Sequence, residues 1–61
     1  MLEKMVEMAK AEGKEKNCLI VRLDMQFNYK EYAWSTRVFY NDNHIIDIRQ
    51  TVDGFKIETV Q

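Results

Sequence analysis

The chain has 61 residues, nine basic and ten acidic, for a net charge near −1. That balance argues against an electrostatically driven nucleic-acid binder, which carries a clear basic excess, and against a DNA mimic, which carries a clear acidic one. The single cysteine, Cys18, excludes a disulfide within the chain and suits a reducing compartment.

The apolar fraction, 46%, is ordinary for a globular domain. One small domain spanning residues 1–61 is therefore expected. A chain this short buries a small core, and such chains commonly rely on metals, disulfides or self-association. The stretch after Met1 is charged and amphipathic, which reads as neither a signal peptide nor a membrane span. The expectation is a complete cytoplasmic protein with no membrane partner.

Residues 2–12, LEKMVEMAKAE, predict a helix. Leu2, Met5, Val6 and Ala9 fall on one apolar stripe, with Met1, Met5 and Met8 as core candidates. Glu3 and Lys10 match the helix dipole, and Gly13 reads as the C′ residue. Residues 14–17, KEKN, read as a wet connector. Residues 18–29 alternate: Leu19, Val21, Leu23, Met25, Phe27 and Tyr29 point one way, and Ile20, Arg22, Asp24, Gln26 and Asn28 the other. Strands over 32–40, 44–52 and 55–60 follow. Asn41-Asp42-Asn43 forms a three-residue bend, and Asp53-Gly54 a type I′ hairpin turn.

Charge placement sets the register. Pairing Phe27 with Trp34 and Val38 with Ile46 builds a cross-strand row Asp24–Arg37–Asp47. A loop of Asp53 and Gly54 sets Val52 opposite Phe55 and Arg49 opposite Glu58. Each such opposite-charge pair supports the pairing by roughly 0.2–1 kcal/mol. The expected architecture is α+β: an N-terminal helix packed on a four-stranded antiparallel β-meander.

Dedicated chemistry is sparse. Cys18 and His44 open strands one and three, but strict alternation points their side chains to opposite faces. A thiol nucleophile needs its base within hydrogen-bond reach and an oxyanion site beside it. One Cys and one His supply too few ligands for a metal, and Asp42 and Asp53 read as turn residues. The two glycines are isolated, so no phosphate loop exists. No catalytic residue, no metal ligand, no cofactor and no small-molecule substrate are expected.

Surfaces carry the functional expectation instead. A helix of eleven residues rises about 17 Å, whereas ten-residue strands run over about 30 Å. Part of the inner sheet face should stay uncovered, around Phe27, Trp34, Val52 and Phe55, and favour self-association as a homodimer. The outer face groups Arg22, Arg37 and Arg49 with Phe39, Ile45 and Ile20, a mixture typical of a protein contact. The sequence thus reads as a small non-enzymatic interaction module, of the kind a phage or mobile element uses as an inhibitor or adaptor of a host protein. The alternative is weak RNA or single-stranded DNA binding on the arginine face.

Overall fold

A computed structural model describes residues 2–61; the expected core role of Met1 lies outside the described residues. The helix α1 (Leu2–Lys16) is followed by β1 (Ile20–Asn28), β2 (Ala33–Tyr40), β3 (Ile45–Thr51) and β4 (Gly54–Thr59). The strands form one antiparallel sheet in sequence order, so the architecture is α+β as expected.

The helix runs one turn further than its apolar stripe suggests. It ends in a Schellman closure: Asn17 adopts φ 58°, its N–H donates to the Lys14 carbonyl at 3.3 Å, and the Cys18 N–H donates to the Gly13 carbonyl at 2.8 Å. Asn17, not Gly13, is therefore the left-handed stop. Gly13 is buried inside the helix, where an added Cβ would stand 2.9 Å from the Cys18 carbonyl oxygen and 3.1 Å from Cε1 of Tyr40. The glycine lets the helix lie directly against the chain it leads into.

Met5, Ala9, Val38, Tyr40, Ile46 and Ile48 make the buried core, with Leu2, Met8, Cys18, Ile20, Leu23, Trp34 and Phe55 packed around it. A fully buried aliphatic side chain contributes roughly 1.5–3 kcal/mol relative to exposure. Val6, expected on the packing stripe, is only half-buried. Two polar contacts pin the helix to β2. The Thr36 hydroxyl donates to Met5 Sδ at 3.2 Å, and the Tyr40 hydroxyl donates to the Ala9 carbonyl at 2.6 Å.

Phe27 pairs with Trp34, Asp24 with Arg37, Arg37 with Asp47 and Val38 with Ile46, all in the expected register. The Asn41–Asn43 bend also holds. Tyr40 N–H donates to the His44 carbonyl at 3.1 Å, and Asn43 takes the left-handed conformation with φ 71°. Three placements differ from expectation.

First, Ile20 pairs with Tyr40 while Arg22 pairs with Phe39, so β1 carries a bulge at Val21. The extra residue inverts alternation upstream of it. Ile20 packs on the core instead of joining the outer cluster, and Leu19 and Val21, expected inside, are exposed.

Second, Thr51 pairs with Gly54 and Arg49 with Lys56, two residues away from the expected β3–β4 register. The turn residues are Val52 and Asp53. Neither has positive φ, so the turn is not type I′; Gly54 follows at φ 139°. Only glycine takes that conformation without strain. Val52 is consequently fully exposed at a turn tip, not part of the inner sheet face. The shift also sets Asp47 opposite Glu58, and Arg49 reaches Glu58 only along the diagonal, at 3.2 Å.

Third, Tyr29 and Tyr32, expected as strand ends, lie with Lys30 and Glu31 in the β1–β2 loop. The Asn28 side-chain oxygen accepts from the N–H groups of Lys30 (2.9 Å) and Glu31 (3.1 Å), and Tyr32 closes the loop at φ 54°.

Candidate functional site

Three side-chain groups stand out, at the two ends of the sheet and on its outer face. At the end where the helix stops, the bulge brings together residues that strict alternation separates. With Cys18 turned inward, its Sγ lies 3.9 Å from Nδ1 of His44, which corrects the expectation that the two point to opposite faces. Asp42 reaches the same nitrogen in a direct side-chain contact, and its carboxylate also accepts the His44 backbone N–H at 3.1 Å. The imidazole stacks on the Tyr40 ring at 4.2 Å with an interplanar angle of 6°. Its other nitrogen, Nε2, is buried without a hydrogen-bond partner among the described residues, and a carboxylate oxygen of Glu12 lies 3.8 Å away.

The electrostatics follow from this crowding. Hydrogen bonding from the His44 side chain and backbone holds the Asp42 carboxyl below the usual range. Partial desolvation, then Asp42 and Glu12, push the Cys18 thiol up. Burial first, then Glu12, pushes the Tyr40 phenol up to about 12.

This is poor geometry for a thiol nucleophile. Cys18 and Asp42 compete for one ring nitrogen, and the thiol is biased toward its protonated form. The N–H groups of Cys18 and Leu19, which flank the sulfur and would serve an oxyanion, are already donated to the Gly13 carbonyl and to Asn41 Oδ1.

At the opposite end, Phe27 is the hub of an aromatic cluster. Its ring centroid lies 5.1 Å from Tyr29, 5.4 Å from Tyr32 and 5.2 Å from Trp34, each edge to face. Tyr29 is 84% exposed and Tyr32 82% exposed. Of the residues expected to drive self-association, Phe27 and Trp34 are brought together here. Phe55 packs at the margin of the core, and Val52 stands apart on its turn. Alternation assigned both tyrosines to strands and so missed them as surface anchors.

The outer face assembles Arg22, Arg37, Phe39, Ile45 and Arg49 as expected. The Arg22 guanidinium lies 4.1 Å from the Phe39 ring centroid and also bonds Asp24 at 3.0 Å. Arg37 forks onto both Asp47 oxygens at 2.8 and 3.0 Å, and those hydrogen bonds hold the Asp47 carboxyl below the usual range. Every arginine thus faces a carboxylate, and the half-buried Phe39 ring is capped by one of them, Arg22. Among the described residues no helix is long and apolar enough to cross a membrane. No protein family, curated protein or solved structure matches the chain.

Proposed function

We propose that the chain is a small non-enzymatic interaction module that pairs with a second copy of itself through the Phe27–Tyr29–Tyr32–Trp34 end. The outer face of Arg22, Arg37, Phe39, Ile45 and Arg49 is then left for another protein. The carrying observation is the aromatic cluster, whose two tyrosines are more than four-fifths exposed. Aromatic rings anchor contacts at low entropic cost because they have few rotatable bonds. Met25 and Ile57, exposed on the inner face of the two edge strands, extend the apolar surface. A module of this kind acts as an inhibitor or adaptor by covering a surface of its target. Its one free thiol suits the cytoplasm.

Light scattering on a sizing column, run across a dilution series, tests the pairing. A dimer that dissociates at higher concentration in a Tyr29→Ser/Tyr32→Ser double variant is the expected result. Both residues are exposed, so the variant keeps the fold. A monomer at every concentration overturns the pairing. Binding of single-stranded RNA that falls steeply with salt would favour the nucleic-acid alternative. The carboxylate partner on each arginine speaks against that outcome.

A further inference from the structure

We propose that Cys18, Asp42 and His44 form a binding site for a thiophilic divalent cation of the zinc class. Their donor atoms, one thiol sulfur, one carboxylate oxygen and one imidazole nitrogen, all lie within 4.8 Å of one another. Tetrahedral zinc with ordinary bond lengths spaces its ligands roughly 3.3–3.6 Å apart. The Cys18–His44 separation of 3.9 Å needs only a small closure. The Asp42 contact needs a small opening, and Asp42 sits on an exposed turn where its side chain can rotate.

The imidazole supplies an independent argument, because both of its nitrogens face carboxylates. Nδ1 meets Asp42, and buried Nε2 looks toward Glu12 at 3.8 Å. A neutral ring carries one proton, so either tautomer sets a lone pair against a carboxylate. A cation on Nδ1 with the proton on Nε2 satisfies both sides. Glu12 then orients the ring from behind, as carboxylates behind metal-bound histidines do. An imidazolium would also satisfy both carboxylates, but it leaves the sulfur beside Nδ1 as core packing alone.

Sulfur, nitrogen and oxygen together select zinc or cobalt over magnesium or calcium, which prefer oxygen alone. Binding replaces the thiol proton, which leaves to solvent, with the metal–sulfur bond. Three protein ligands leave a fourth position for water. The site would also tie the start of β1 to the β2–β3 turn, a staple that a chain of this length can use.

Cobalt titration of the reduced, chelator-treated chain tests the site. The expected result is a thiolate-to-cobalt charge-transfer band with tetrahedral visible bands, saturating at one metal per chain and displaced by zinc. Cys18→Ser should abolish the charge-transfer band. Asp42→Asn and His44→Gln should each weaken binding at least tenfold, and Glu12→Gln roughly tenfold. In the unaltered chain, which needs no variant to fold, zinc should slow maleimide labelling of Cys18 at least tenfold. Absence of the band at millimolar cobalt, or labelling untouched by zinc, overturns the site. So does a band unchanged in folded Asp42→Asn and His44→Gln variants, which would mean adventitious binding to the thiol alone.

Discussion

Replacing Gly13 with alanine sets two physical effects against each other, and the structure decides the winner. In an exposed helix, Gly→Ala gains about 1 kcal/mol, because alanine loses less backbone entropy on folding. Here the new Cβ would stand 2.9 Å from the Cys18 carbonyl oxygen and 3.1 Å from the Tyr40 ring. Neither neighbour yields easily. Cys18 is held by its own N–H bond to the Gly13 carbonyl at 2.8 Å. The Tyr40 ring is fixed by the Ala9 carbonyl on one side and the His44 stack on another. Relieving the clash means opening the Schellman closure or shifting the helix off the sheet. Overpacking of this kind costs roughly 1–3 kcal/mol, and a lost hydrogen bond about another 1. The net expectation is destabilisation by about 1–3 kcal/mol, or a thermal midpoint lowered by roughly 4–24 °C in a domain this small. Urea unfolding followed by Trp34 fluorescence and by circular dichroism measures it. Ala11→Gly, at an exposed helix position, calibrates the propensity term and should cost about 1 kcal/mol. A Gly13→Ala chain more stable than the parent would mean that the helix C-terminus does not lie against Cys18 and Tyr40, and the geometry of the adjoining cluster would fall with it.

Thr36 is buried, and its hydroxyl donates to the thioether of Met5, a weak acceptor and the only side-chain partner it has among the described residues. Thr36→Val should therefore raise stability by about 1 kcal/mol, read as a higher urea midpoint at unchanged slope. The Asp47 carboxyl is held below its ordinary range in the fold, chiefly by hydrogen bonds from Arg37. Its contribution is complete above the ordinary carboxylate range and is lost as pH falls below about 4. Asp47→Asn should flatten the stability–pH curve in that acid window and leave its slope near neutrality unchanged; an unaltered acid limb would refute the pairing.

Periodicity, turn chemistry and cross-strand charge placement determined the helix, the four strands, the β2–β3 register, the β1–β2 register from Arg22 onward and the arginine-bearing face. Those features rest on rules that act within one strand, one turn or one pair of neighbouring strands. The β3–β4 register lay beyond them because charge pairing does not discriminate between registers two residues apart. Arg49 finds Glu58 along the diagonal as readily as directly opposite, and side chains stay on the same face. Val52 was misplaced for the same reason.

The bulge was hidden by composition. Leu19, Ile20 and Val21 are all apolar, so the pattern reads equally well with either face inward. Only the packed structure selected Ile20, which fits between the helix and Tyr40, and sent Leu19 and Val21 to the surface. That one inserted residue also turned Cys18 toward His44 and Asp42. The sequence determined which chemical groups the chain possesses. Tertiary packing, through a helix seated on Gly13 and a strand kinked at Val21, decided which of them meet.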